Sequence, residues 1–231
     1  MARGDWCKPQ FARSHLSATH SRNLCHPFTM QCVGLIGGSG LLHAGEGGFL
    51  AGLTRKEIRT PEGHCVIVRT GELPGAATPT RLVFVQRHQA DPSKDYVQPA
   101  KIHYAAIADA LVAEGCSVVV GVCSVGALHS TTPLGSLSVP GDFWCPWDLR
   151  SGYDDYRSHF VPGYDEELRA QIVEGVKAAG FDVTNGAWRV CHGRLREPSI
   201  HACDVDQVAC TPTQRGLGLR RRRRYVCIGS T

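Results

Sequence analysis

Residues 117–122 read Ser-Val-Val-Val-Gly-Val, a β-prone run in which polar and apolar residues do not alternate. A strand with one wet face alternates. A strand covered on both faces does not, and such strands occur where helices pack on both sides of a sheet. The run therefore restricts the chain to a layered α/β fold. Val33-Gly34-Leu35-Ile36, Cys65-Val66-Ile67-Val68 and Leu82-Val83-Phe84-Val85 are three further short apolar or β-branched strands. Two helices separate or follow them. Residues 99–115 carry Tyr104, Ile107, Ala108, Leu111 and Val112 at helical spacing, with Pro99 in the first turn and Gly115 at the end. Residues 165–179 place Leu168, Ile172, Val176 and Ala179 on one face, and Gly180 stops them. Strands alternating with helices predict an α/β three-layer sandwich around a mixed central sheet.

The pattern is confined to the middle of the chain. Residues 1–30 have no strand or helix period and carry Arg3, Lys8, Arg13 and Arg22 against Asp5. We read them as an unstructured extension; an organelle transit peptide is the alternative that a basic, acid-poor start allows. Residues 31–190 form the ordered α/β domain. Residues 191–231 mix Cys and His with Pro and Gly and read as a divergent, disordered tail. The formal charge of +4 says little about the folded body, because the run Arg220 to Arg224 supplies five of the 25 basic residues. That run reads as a solvated segment, with nucleic-acid binding the less common outcome. No stretch of about 18 apolar residues marks a membrane span. The 11 cysteines cluster toward the two ends of the chain rather than forming a framework, so we expect reduced thiols and an intracellular, cytoplasmic protein. Cys191, His192, His201, Cys203 and Cys210 have no standard zinc spacing, and no metal is expected.

Three constellations carry chemistry. Gly37-Gly38-Ser39-Gly40 follows the first strand. Glycines let backbone approach an anion and Ser39 adds a hydroxyl, although a purely structural turn has the same composition. The loop lacks the Gly-Lys-Ser/Thr of a Walker loop, and its glycine spacing is not that of a dinucleotide fold. Arg87-His88 follows the strand at 82–85. Strand ends are where ligands bind in α/β sheets, and an Arg fork suits phosphate; the other reading is a surface Arg beside a packing His. The third stretch, Cys123-Ser124-Val125-Gly126-Ala127-Leu128, again ends a strand. No histidine partner can be named that would make Cys123 a nucleophile. Pro140-Gly141-Asp142 reads as a turn.

In this order, the motifs resemble those of the purine nucleoside phosphorylase and 5′-methylthioadenosine phosphorylase family. Gly37 to Gly40 looks like its Gly-Gly-Thr/Ser-Gly loop and Arg87-His88 like its Arg-His pair. Pro99 with Ile102-His103-Tyr104 is similar to its Pro…Ile/Val-Asn-Tyr helix start, and Pro140-Gly141-Asp142 matches its Pro-Gly-Asp. The resemblance covers residues 33 to about 190. It implies a pentosyltransferase of purine salvage, which phosphorolyses purine nucleosides or 5′-methylthioadenosine to a free base and a pentose 1-phosphate. It implies that Ser39, Arg87, His88, Cys123 and Ser124 hold the phosphate, the last two in part through backbone, with Gly37, Gly38 and Gly40 as the supporting loop. It also implies no cofactor, phosphate being a substrate, and a homotrimer.

The sequence departs from the family pattern in three places. His103 stands where the family has Asn, and the spacer from His88 to Pro99 is a few residues longer. After about residue 190, Gly193-Arg194-Leu195-Arg196-Glu197-Pro198 only faintly matches the family's Gly-Pro-Arg-Phe-Glu-Thr segment. Neither its sugar-binding Met segment nor its purine-binding Asp or Asn can be assigned. The second hypothesis is therefore a truncated, inactive homologue that keeps only the phosphate half-site.

Overall fold

The computed structural model of the chain describes residues 32–44, 48–125, 133, 135–144, 163–184, 187–189 and 224–230. Among them, eight strands form one sheet in the order β2-β3-β4-β1-β5-β10-β6-β8. These are β1 (Cys32–Gly37), β2 (Thr54–Arg59), β3 (Cys65–Glu72), β4 (Arg81–Gln86), β5 (Val118–Ser124), β6 (Leu137–Ser138), β8 (Val183–Thr184) and β10 (Arg224–Ser230). β7 (Asp142–Trp144) and β9 (Ala187–Arg189) pair as a separate parallel ribbon. The sheet is mixed, as predicted. β1 lies parallel between β4 and β5, whereas β2, β3 and β4 form an antiparallel meander.

Strand periodicity sorts the core into layers. Cys32 and Ile36 of β1, Val83 and Val85 of β4, and Val119 of β5 point to one face. There they pack on Ala106, Ile107, Ala110 and Leu111 of helix α1 (Tyr104–Ala113). The intervening residues Val33, Val118 and Val120 face the other side and meet Leu168, Ile172 and Val173 of helix α2 (Glu166–Ala178). Leu82 and Phe84 of β4 share that second side with Leu50, Leu53 and Leu73. Helices on opposite faces of one sheet make the three-layer sandwich. Both faces of β1 and β5 are wanted by apolar partners, which is why neither strand alternates in sequence.

The helices begin and end by local chemistry. The expected helix over 99–115 is two pieces: a 3₁₀ turn at Pro99–Lys101, then α1 from Tyr104. Ile102 is extended (φ −70°, ψ 131°) and breaks the run. Gly115 takes φ +80° after the last turn, where a side chain would be strained. In α2, Asp165 accepts a hydrogen bond from the Leu168 N–H (2.8 Å), with Glu166 and Glu167 near the positive end of the helix and Lys177 near the other. The buried residues of α2 are Leu168 and Val173, so the face is rotated from the one the spacing suggested, and Ala179 is exposed. Just beyond α1, the buried carboxylate of Glu114 is held by Lys56 (2.6 Å) and Arg81. Burial pushes its pKa up, but the two cations outweigh this and the net shift is downward.

Two features went unread in the sequence. β2 is an edge strand with one buried residue, Ile58, so it carries almost no apolar pattern. β10, within the stretch expected to be a disordered tail, runs parallel to β5 and antiparallel to β6 over Arg224–Ser230. The rest of 191–231, residues 1–30, and the continuation Gly126-Ala127-Leu128 lie outside the described residues. Among the described residues no helix is long and apolar enough to cross a membrane.

Candidate functional site

Three neighbouring parallel strands end side by side. β4 ends at Gln86, β1 at Gly37 and β5 at Ser124, with Gly37 in register with Gln86 and with Val122. The loop leaving β1 is tied to both neighbours. The Gly38 N–H donates to the Val122 carbonyl (2.7 Å), and Gln86 Nε2 donates to the Gly38 carbonyl (3.0 Å). The chain then turns through a short 3₁₀ segment, Ser39–Leu41, with Ser39 and Gly40 exposed at the sheet end.

The glycines are required by what approaches them. A methyl group built on Gly38 would lie 2.7 Å from Nη2 and 3.0 Å from Cζ of Arg87. One on Gly40 would lie 2.7 Å from the Ser124 hydroxyl oxygen, and one on Gly37 would enter the Phe84 ring at 2.8 Å. The structure therefore brings the glycine loop, Arg87 and Ser124 into direct contact. Arg87 is not a surface residue: it is 1% exposed, in the 3₁₀ turn Arg87–Gln89 that follows β4. A guanidinium held away from water is costly unless it meets an anion or acceptors.

His88 is equally buried. Its N–H donates to Gln86 Oε1 (3.1 Å), its Nδ1 bonds the Val97 carbonyl (3.0 Å), and its carbonyl accepts from the Val97 N–H (2.7 Å). A carbonyl can only accept, so Nδ1 carries the hydrogen. Tyr96 lies flat on the imidazole, with centroids 4.9 Å apart and planes 5° from parallel. Cys123 is 3% exposed, on the α1 side of β5 by its register with Val119, so its thiol does not face the sheet end.

On the α1 side, a pocket lined by Arg87, Ala90, Val97, Ile102 and Ile107 opens beside the same turn. His103 and His64 stack at its rim with ring centroids 4.2 Å apart. At the opposite end of β1, Cys32 and Cys116 approach to 3.6 Å. The hydrogen bond from Cys116, together with the nearby Arg81, lowers the Cys32 pKa to about 7 despite burial. That pair lies far along the strands from the glycine loop. Sequence reasoning missed Gln86, Tyr96 and His64. Gln86 was detectable as a polar residue ending a buried strand, beside the Arg-His pair. Tyr96 and His64 carry no signal until the chain is folded.

No protein-family model matches the chain. It is 35% identical over 145 residues to a protein of Archaeoglobus fulgidus named "Probable 6-oxopurine nucleoside phosphorylase", covering 62% of this chain and 54% of that one. A protein of the same name from Korarchaeum cryptofilum is 30% identical over 176 residues, covering 69% and 60%. The chain thus spans little more than half the length of these curated relatives. Among solved structures, the unliganded methylthioadenosine phosphorylase of Schistosoma mansoni superposes with a TM-score of 0.64 at 17% identity, covering 87% of this chain and 80% of that one. The same enzyme in complex with tubercidin gives 0.63 at 15% identity, covering 87% and 81%. At this identity the likeness is one of fold.

Proposed function

We propose, from the premise that the chain belongs to the purine nucleoside phosphorylase family, that its sheet end at β4, β1 and β5 binds inorganic phosphate for the phosphorolysis of purine nucleosides. The observation that carries this reading is the buried Arg87 guanidinium packed on Gly38, with Ser124 against Gly40 at the other end of the same loop. In this reading Arg87 supplies a planar pair of donors, Ser39 and Ser124 supply hydroxyls, and the backbone around Cys123 and Ser124 closes the cradle. His88 follows Arg87 in the same turn and completes the set that the resemblance implies.

The chemistry asks for little more at this half of the site. The glycosidic C1′–N bond breaks through a cationic sugar. A phosphate oxygen forms the new bond to C1′, and the leaving purine takes a proton on nitrogen. A held phosphate both stabilises the cation and attacks it, and fixing the two reactants supplies much of the rate. The reaction so read needs no cofactor, because phosphate is itself the substrate. The relatives named for 6-oxopurines make inosine and guanosine the first substrates to test, with adenosine and methylthioadenosine beside them. A homotrimer is the assembly that the resemblance implies, and sedimentation of the purified chain tests it.

The deciding experiment has two parts. Calorimetry measures phosphate binding to the parent and to Arg87→Ala. Base release from the four nucleosides is then followed with and without phosphate. Phosphate binding that is lost in Arg87→Ala, with phosphate-dependent base release, supports the proposal. Equal phosphate affinity in both proteins overturns it. Binding without base release would leave the chain with the phosphate half-site alone.

A further inference from the structure

We propose that Cys32 and Cys116 form a redox-active dithiol, which a peroxide closes to a disulfide that clamps the start of β1 to the turn before β5. The two sulfurs stand 3.6 Å apart, and both side chains are buried in the core on the α1 side of the sheet. Strand pairing brings them together. β1 and β5 run parallel with Val33 opposite Val118, and the Ser117 N–H donates to the Cys32 carbonyl (3.1 Å). Cys116, the residue before Ser117, is held to the end of α1 by its N–H, which donates to the Leu111 carbonyl (3.0 Å). A lone buried cysteine is a small hydrophobe, whereas two in contact can share a bond. An S–S bond is about 2.05 Å long, so the sulfurs must approach by about 1.5 Å, a movement within the reach of a side-chain rotation.

The surroundings favour the chemistry. The thiolate is the reactive form of cysteine. The hydrogen bond from Cys116 and the charge of Arg81 hold the Cys32 thiol below its ordinary range, against burial and the charge of Glu114. Arg81 is kept in place by Glu114, whose carboxylate and carbonyl (3.2 Å) both accept from it. With hydrogen peroxide, the Cys32 thiolate attacks one oxygen and the O–O bond breaks. The leaving hydroxide takes the proton that Cys32 gave up, which yields water and a sulfenic acid. The Cys116 sulfur then attacks the Cys32 sulfur and the S–O bond breaks. The Cys116 proton completes a second water. The two thiols have lost two electrons, and the peroxide has gained them. A thiol reductant reopens the bond by exchange. The clamp lies at the opposite end of β1 from Gly37, so it ties the fold without entering the glycine loop, and it stands apart from the phosphate reading.

The test uses the full chain, with hydrogen peroxide as the probe and dithiothreitol as the reductant. After peroxide treatment the chain is unfolded in urea, free thiols are alkylated, and the digest is mapped by mass spectrometry. A peptide joining Cys32 to Cys116 should appear, and dithiothreitol should remove it. The bond ties residues 84 positions apart, so the oxidised chain should melt about 5–10 °C above the reduced one. Cys116→Ala keeps every other cysteine, and its midpoint should not rise with peroxide. Cys32 and Cys116 that are both still alkylated after peroxide overturn the proposal. Cys32 joined to a different cysteine, or carried on to a sulfinic acid with Cys116 still a thiol, also overturns it. An equal rise in parent and Cys116→Ala, or a cross-linked parent whose midpoint has not moved, overturns the clamp. The peptide map of the parent decides the pairing even where the variant folds poorly.

Discussion

The Arg87 guanidinium rests on the backbone of Gly38 so closely that even a methyl group at residue 38 would lie within 2.7 Å of Nη2. The contact joins the turn after β4 to the loop after β1, which are 49 positions apart in the chain. It makes glycine at residue 38 a condition of where the guanidinium sits.

Gly38→Ala should therefore act on binding more than on folding. The atom it meets is the end of a flexible side chain, which can swing aside at modest cost, on the order of 1 kcal/mol. The displaced guanidinium no longer points where an anion would lie, and one charge-assisted bond corresponds to about 1.5–3 kcal/mol. We expect phosphate affinity to fall at least tenfold while the thermal midpoint moves by only a few degrees. Calorimetry and thermal melts on the same preparation decide it: a large drop in midpoint with affinity intact would show that the loop, not Arg87, bears the substitution.

The turn at Asp91 should loosen in acid. Hydrogen bonds from the Ser93 hydroxyl and backbone N–H, then Lys94, lower the Asp91 pKa to about 2 from 3.8. A depressed carboxylate pKa contributes stability that is full above the unfolded value and is lost as pH falls through the folded one. The window here runs from about pH 4 down to about pH 2. A carboxyl ¹³C titration that places Asp91 at an ordinary midpoint would show that the turn is not held this way.

Glu114→Gln should destabilise the fold by about 1–3 kcal/mol, through the loss of charge-assisted bonds from Lys56 and Arg81. The cost stays below that of breaking a fully buried pair, because both cations remain about half exposed. The lowered pKa of Glu114 gives the same sign as Asp91: stability present at neutral pH and lost on acidification. Urea melts of parent and variant should therefore differ most at pH 7 and draw together as the pH falls below the ordinary carboxylate range.

Val226→Pro tests β10. Val226 lies opposite Val120 in the middle of the strand, where proline disrupts the pairing with β5. We expect a large fall in thermal midpoint. Thr78→Pro, in the exposed connection between β3 and β4, should cost far less. Equal midpoints for the two variants would mean that β10 contributes nothing to the folded body.

What could be read from the sequence follows from how many partners each residue has. β1, β4 and β5 are buried on both faces, so nearly every position is apolar and the strands stand out. Edge strand β2 answers to one face and one neighbour, and its Thr-Arg-Lys-Glu-Ile-Arg gives no pattern to read. Ser39, Arg87 and Ser124 were visible because glycine turns and strand ends are local features. The burial of Arg87 was not, since it depends on Gly38 arriving from another strand. The contact of Tyr96 was invisible for the same reason: it meets a ring eight positions earlier, brought under it by a backbone clamp.

The pairing of β5 with β10 sets an order of events for the growing chain. Val118 must wait for Arg224 to be synthesised before its second neighbour exists, whereas β1 and β4 are already available. During that interval β5 carries an open row of backbone donors and acceptors flanked by valines, the kind of edge that pairs with other chains. Closing so long a loop is slow, and aggregation competes with it. The yield of soluble protein should therefore depend on how quickly the end of the chain follows its middle, and on chaperone supply while it does.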